Sequence, residues 1–432
     1  DATTVTLGRC GGTVALASGA SQTGFGRTGT VNWDTTPKTS TVTAANGVGY
    51  FVNTTAGSVT VNLPAGTAGD IVAIADYANT ADTNKIVIAA NGSEKIQGVA
   101  SNPFEITVEG GSVTLVYVDS TQGWRPTDAS TAAAITENDV FIVATGGSIA
   151  TCGDYKIHTF TGPGTFCVSA AGGPVAVADY MVVAGGGGAA GGVGNYAAGA
   201  GAGGFRESSG ATSGGYSTSP LGSGVSALPV SVSGFPITVG AGGAGCVGES
   251  DPGNNGNPSI FSSIISAGGG WGQPGNPSPT GGPGGSGGGG GTAGGTGNTP
   301  PVSPPQGNPG GTQAGSPPNY GRGGGGGATA AGSNGAPTSG GNGGNGATTS
   351  ISTSPTTYAG GGGAGVYLGG TGGNGGTGGG GNGANGSPPT TAQAGSGNSG
   401  GGAGGQSLFP GGPSGNGKNG GSGIVIIRYK FQ

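Results

Sequence analysis

The sequence predicts an all-β protein: short antiparallel β modules, then a large glycine-rich domain of polyglycine II helices closed by β-strands. Three observations predict it. Glycine supplies 113 of 432 residues, and 89 of the 113 lie after residue 180, against a globular norm of about 7%. Before residue 180, β-branched runs of period two recur and no ten-residue segment shows helical periodicity. The chain ends on Ile424–Phe431, an apolar β pattern without an internal turn signal, which needs strand partners.

Composition excludes several classes. The chain holds 12 basic and 17 acidic residues, with a net charge of -5. That is too few cations for a nucleic-acid footprint and too few charges for the flanks of a coiled coil. Runs such as Gly323 to Gly327 break a collagen period. No apolar stretch is long enough to insert in a membrane as a helix. One His and the unpaired spacing of Cys10, Cys152, Cys167 and Cys246 supply neither a metal site nor a cofactor site, so none is expected.

Residues 1–44 read as an N-terminal strand region for attachment or assembly, with Thr3-Val5-Leu7 alternating. Residues 45–130 read as a small antiparallel β module. Ser58–Leu63 has period two and stops at Pro64-Ala65-Gly66; Asp70–Asp76 follows; Lys85–Ile88 runs into Asn91-Gly92, a hairpin signal. Phe104–Val108 and Ser112–Val118 complete it. Tyr117 and Trp124 read as packing aromatics rather than sugar binders.

Residues 131–174 read as a β connector carrying a hairpin-like pair, Tyr155–Phe160 and Thr165–Val168, around Gly162-Pro163-Gly164. Cys152 and Cys167 flank the pair, a placement compatible with a disulfide. His158 alternates with its strand neighbours and reads as structural.

Residues 175–432 form the glycine-rich domain. Its composition resembles a flexible linker, but its apolar residues are clustered in Leu228–Val232, Phe235–Val239, Ile260-Phe261 and Ile264-Ile265. Threefold helices with about 3.1 Å rise have no internal hydrogen bonds and must bond laterally to neighbours. Glycine then occupies the contact positions, and Ala, Asn, Ser, Thr and Pro are expected outside. The closing strand is expected to pair with Tyr180–Val183 or Val230–Val239. The scarce Arg206, Tyr216, Tyr320, Arg322, Tyr367 and Phe409 fall in connecting loops. There they either seal lattice edges or bind a partner.

The ordered combination of Tyr155–Phe160, Gly164–Val168, Val177–Ala184 leading into Gly185–Gly188, Phe235–Gly245, Asn257–Gly270 and Gly420–Tyr429 resembles the glycine-rich domain of bacteriophage tail fibres and related virion proteins. The likeness covers about residues 155–432. Ser58–Leu63, Gly69–Asp76 and Ser112–Trp124 resemble a small β module of marine phage fibres. Three departures stand out: Cys167 replaces a plain residue, Asn and Pro are abundant, and no long shaft precedes the head. The resemblance implies a virion fibre protein, a homotrimer, with receptor-binding loops for a bacterial surface polysaccharide or outer-membrane protein, and contacts to other virion proteins through the N-terminal region.

A glycosidase needs paired carboxylates in a cleft, and no Asp or Glu occurs from residue 252 onward. Asp70, Asp76, Glu94, Glu105 and Asp119 sit in turns or at strand ends, so no enzyme is expected. The alternative to an adhesin is a purely structural protein. That is a head fibre, a decoration protein, or a subunit of an extracellular filament in which the Thr3–Leu7 strand completes a neighbour's sheet.

Overall fold

The computed structural model describes residues 31–100, 103–129, 141–171, 176–191, 196–246, 251–275, 280–313, 320–407 and 416–431. The expected strand Thr3–Leu7 and Cys10 lie outside the described residues. The chain divides into two compact units, Asp1–Asp139 and Val140–Gln432. No α-helix occurs among the described residues; one 3-10 turn spans Pro220–Gly222.

The first unit contains β1 (Asn32–Lys38), β2 (Val42–Thr43), β3 (Val48–Val52), β4 (Val59–Asn62), β5 (Ile71–Asp76), β6 (Ile86–Ala89), β7 (Lys95–Ile96), β8 (Val99–Ala100), β9 (Phe104–Ile106), β10 (Ser112–Asp119) and β11 (Gly123–Ala129). One sheet has the order β1-β3-β5-β10-β11-β7-β8 and the other β2-β4-β6-β9. The first six strands therefore alternate between sheets, and β1/β3, β3/β5, β2/β4 and β4/β6 are parallel. This corrects the antiparallel expectation, which holds for β5/β10, β10/β11 and β6/β9. Alternation tells which face of a strand is buried, not which strand lies beside it. The Asn91-Gly92 turn closes with Glu94 N–H donating to the Asn91 carbonyl at 2.9 Å, but it joins β6 to β7 in the other sheet, so it makes no hairpin.

Between the sheets lie Val52, Val61, Ile74, Ile86, Ile88, Leu115 and Trp124, all fully buried. Tyr117 packs edge-on to Trp124 at 5.6 Å, as core. Asp76 accepts backbone N–H bonds from Ala78, Ala81 and Gly110, Asp119 from Thr121 and Gln122, and Glu94 from Gly66. These carboxylates fasten turns.

The second unit contains β12 (Val143–Thr145), β13 (Ser148–Cys152), β14 (Tyr155–Phe160), β15 (Gly164–Ala170), β16 (Val177–Val183), β17 (Phe205–Glu207), β18 (Leu228–Pro229), β19 (Ser233–Thr238), β20 (Ser259–Phe261), β21 (Ile264–Ser266), β22 (Ala347–Thr349), β23 (Thr356–Tyr358) and β24 (Ile424–Lys430). One sheet runs β12-β15-β19-β20-β21; another runs β13-β14-β24-β16-β17, with β18 also on β16; β22 and β23 form a hairpin. Strands from the stretch read as a connector thus share sheets with strands of the glycine-rich body.

The closing strand β24 is central, antiparallel to β16 and β14. The Tyr180–Val183 partner is as expected. Val230–Val239 is not a partner, because β19 belongs to the other sheet. Tyr155–Phe160 and Thr165–Val168 do not pair either: β14 bonds to β13 and β24, β15 to β12 and β19. The Gly162 turn carries the chain between sheets, so that Phe160, Phe166, Phe261, Val425, Ile427 and Tyr429 meet in one apolar core. Cys152 and Cys167 consequently sit in different sheets, and both are free thiols; the disulfide is not formed.

The glycine-rich segments form a laterally bonded lattice. Ala184 and Gly187 donate to the carbonyls of Gly204 and Gly201, Gly185 and Gly188 to those of Asn257 and Asn254, Gly186 and Ala189 to those of Gly421 and Lys418. Every third residue meets the same neighbour. The carbonyls of the same segment accept from Gly243 and Cys246, from Gly269 and Gly272, and from Ala403. Six segments therefore surround residues 184–189. Residues 197–204 repeat the pattern: Ala197, Ala200 and Gly203 reach Gln406, Ala403 and Gly400, while Ala198, Gly201 and Gly204 reach Gln273, Gly270 and Ala267.

A Cβ added at Gly185, Gly186, Gly187 or Gly188 would collide with the carbonyl oxygen of Ala241, Gly401, Gly270 or Ala244. That is why glycine is required there. Alanine, expected at outer positions, is instead also interior: Ala189, Ala197, Ala198, Ala200, Ala202 and Ala403 are fully buried. A methyl fits where Cβ points between segments, as it does where Ala189, Ala200 and Ala403 pack in one cluster.

Candidate functional site

The lattice has two ends. Ala184 follows β16, Gly204 precedes β17, Ala267 follows β21 and Gly423 precedes β24, so these four segments meet the sheets at one end. Their opposite ends lie together, because Ala189 bonds Lys418 at 2.9 Å, Ala197 bonds Gln406 at 2.8 Å and Ala198 bonds Gln273 at 3.0 Å.

At this far end the structure gathers Tyr320, Arg322 and Tyr367 from the sequence-predicted set, and adds Tyr196. Tyr367 lies 5.6 Å from Tyr196 and 6.2 Å from Tyr320, centroid to centroid, with rings inclined at 60° and 72°. All three are half-buried. The Arg322 guanidinium sits 4.7 Å from the Tyr196 ring centroid. Its Nη1 donates to Gln273 Oε1 at 3.3 Å and its Nη2 to the Gly275 carbonyl. Arg322 is 5% exposed, and burial pulls its pKa below the ordinary guanidinium value. Tyr320 holds φ of 41°, the left-handed region that a non-glycine residue enters only when its surroundings enforce it. Tyr196 carried the same sequence signal as Tyr320, a lone aromatic between glycine tracts, and sequence reasoning passed over it.

The remaining predicted residues lie elsewhere. Phe409 falls outside the described residues. Arg206 is in β17, opposite Val182, half-buried beside Tyr180. Tyr216 is at the sheet end of the lattice. Its ring lies 5.2 Å from the Arg428 guanidinium, which stands 4.9 Å from Tyr155 on another side. Burial raises the Tyr216 phenol well above its ordinary value.

Next to Tyr216 is a buried polar network that the sequence did not reveal. Asp179, fully buried, accepts from Ser208 Oγ, Gly210 N–H, Thr212 Oγ1 and Ser213 Oγ at 2.6–3.1 Å. Glu207 accepts from Ser219 N–H at 2.9 Å and from Thr349 Oγ1, and burial raises its pKa. Arg428 Nε donates to the Ser213 carbonyl at 3.1 Å. These bonds clamp residues 208–219 onto the sheet. Both carboxylates are closed off from solvent by protein donors.

No group of three or more His, Cys, Asp or Glu side chains with metal-site geometry occurs among the described residues. None of their helices is long and apolar enough to cross a membrane.

Comparison with known proteins returns the glycine-rich domain family over residues 159–430. A second match, 38% identical over 80 residues, is to the baseplate wedge protein gp10 of Enterobacteria phage T4. It spans 18% of this chain and only 13% of that protein.

Proposed function

Since the chain belongs to the glycine-rich domain family, we propose that it is a bacteriophage fibre protein of the virion. In this reading the lattice segments are polyglycine II helices, and the far end binds a surface component of the bacterial host. The three-residue repeat of lateral partners supports the helix assignment, since such a helix has three residues per turn. The likeness to a phage baseplate protein supports the viral context.

One observation carries the binding reading. Tyr196, Tyr320 and Tyr367 converge at the end of the lattice remote from the sheets. Half-exposed tyrosine rings present apolar faces and hydroxyl tips, which suit the C–H faces and hydroxyls of a polysaccharide. The chain acts as a homotrimer attached to other virion proteins through residues 1–44, and its mass in solution tests that arrangement.

The burial of Arg322 and Gln273 favours a second reading, a purely structural virion protein or filament subunit whose aromatic cluster seals the lattice. Adsorption of the full chain to the bacterium on which the parent phage grows separates the two. A variant with Tyr196, Tyr320 and Tyr367 replaced by Ala should adsorb at least about tenfold less, as loss of aromatic anchors implies. Equal adsorption by a folded variant supports the structural reading.

A further inference from the structure

The abundance of asparagine has a structural use. The segment Thr371–Thr377 is bonded to the lattice by Gly373 and Gly376, which donate to the carbonyls of Ala364 and Gly361, both at 2.8 Å. Thr371 N–H meets the Thr338 carbonyl at 3.1 Å, and the other four donors meet side chains. Asn374 N–H donates to Asn342 Oδ1 at 2.8 Å and Thr377 N–H to Asn345 Oδ1 at 3.3 Å. Gly375 N–H donates to Asn382 Oδ1 at 2.7 Å and Gly372 N–H to Asn385 Oδ1 at 2.8 Å. The acceptors are spaced three residues apart on each flanking segment, in step with the donors. Asn342, Asn345 and Asn382 are exposed, so this row is the border of the lattice. The same device recurs where Asn334 Oδ1 accepts from Thr312, Asn255 Oδ1 from Trp271 and Asn419 Oδ1 from Gly245.

We infer that these asparagines are lateral end-caps that stop the lattice from adding a further glycine-rich segment from a second copy of this chain. The donors of the interior segment 184–189 all find backbone carbonyls, each neighbouring segment being met at a three-residue interval. A border row offers the same periodic donors with no neighbour beyond, like the open edge of a β-sheet. Any glycine-rich segment presents carbonyls at the matching interval, and the partner nearest to hand is another copy. An Asn amide oxygen, reaching across from the flanking segment, satisfies each donor without extending the lattice. Asparagine suits this place because its side chain carries a carbonyl much like the backbone's and no charge.

The test replaces Asn342, Asn345, Asn382 and Asn385 together by Ala in the full chain. Sedimentation velocity should then show a mass that rises with concentration beyond that of the parent. A variant with Asp at the same four positions keeps the acceptors and should sediment like the parent. An Ala variant that keeps its fold and the parent's mass over the same concentrations would overturn the inference. Should the Ala variant not fold, amide exchange in the parent decides. Gly372, Asn374, Gly375 and Thr377 should exchange at least about tenfold more slowly than an open peptide, and open-peptide exchange at all four would equally overturn it.

Discussion

Tyr429 donates its hydroxyl to His158 Nε2 at 3.0 Å, across 271 positions of sequence. The other ring nitrogen, Nδ1, lies 2.7 Å from the Gly146 carbonyl, which can only accept, so Nδ1 carries the proton. The ring also stacks on Tyr429 and meets Phe166 edge-on at 5.5 and 5.1 Å. One neutral imidazole therefore ties the closing strand to the start of the second unit.

Burial holds the His158 pKa below its ordinary value, so the folded protein keeps the ring neutral where the unfolded chain protonates it. The stability linked to this ring is complete above about pH 6.5 and is lost as pH falls through and below that value. The melting temperature should therefore drop on acidification from neutral pH. His158→Gln should cost about 1–3 kcal/mol at neutral pH, through the lost bonds and packing, and should remove this part of the pH dependence. An unchanged pH profile in the variant would count against the neutral ring.

Gly187→Ala should be among the most damaging single-methyl changes in the chain. The new Cβ would strike the Gly270 carbonyl, whose own bond to Gly201 fixes it in place. A cost of about 3 kcal/mol is expected from overpacking without room to relax. Gly162→Ala is the control: nothing lies within 4 Å of its Cβ, and a neutral or slightly stabilising effect, up to about 1 kcal/mol, is expected. Denaturant unfolding of both variants checks the contrast.

Deleting residues 424–432 should render the chain insoluble. Removal of β24 strips hydrogen-bond partners from β14 and β16 at once. It also uncovers the apolar core around Phe166 and Phe261. Soluble, folded protein after the deletion would contradict the central place of this strand.

Cys152 and Cys167 should both react with a thiol reagent when the chain is unfolded without reductant, since neither is bonded. A peptide map that recovers them joined would contradict the sheet assignment. Melting should be insensitive to reductant.

The parts of this fold legible in sequence were those set by local chemistry. The Ile424–Phe431 pattern demanded a sheet, and the glycine runs demanded lateral bonding. Partner choice was not local. The alternation of Val59–Leu63 is the same for a parallel neighbour as for an antiparallel one. Nothing at Tyr155–Phe160 says that the next strand crosses to another sheet. Tyr320, Arg322 and Tyr367 could be singled out as scarce side chains, but their meeting depends on three segments ending at one level. The contact of Tyr216 with Arg428 was not legible, because the two lie more than 200 positions apart. The asparagines were visible as an excess without a use until their acceptors lined up with the border donors.

Amide hydrogen exchange of the full chain tests the ordered lattice most directly. Gly187, Gly201, Gly270, Gly325 and Gly362 all donate to carbonyls of neighbouring segments and are fully enclosed. The account predicts that they exchange as slowly as the amides of Tyr180–Val183 in the sheet. Exchange at the rate of an unstructured glycine-rich peptide across residues 184–204 and 323–365 would contradict it.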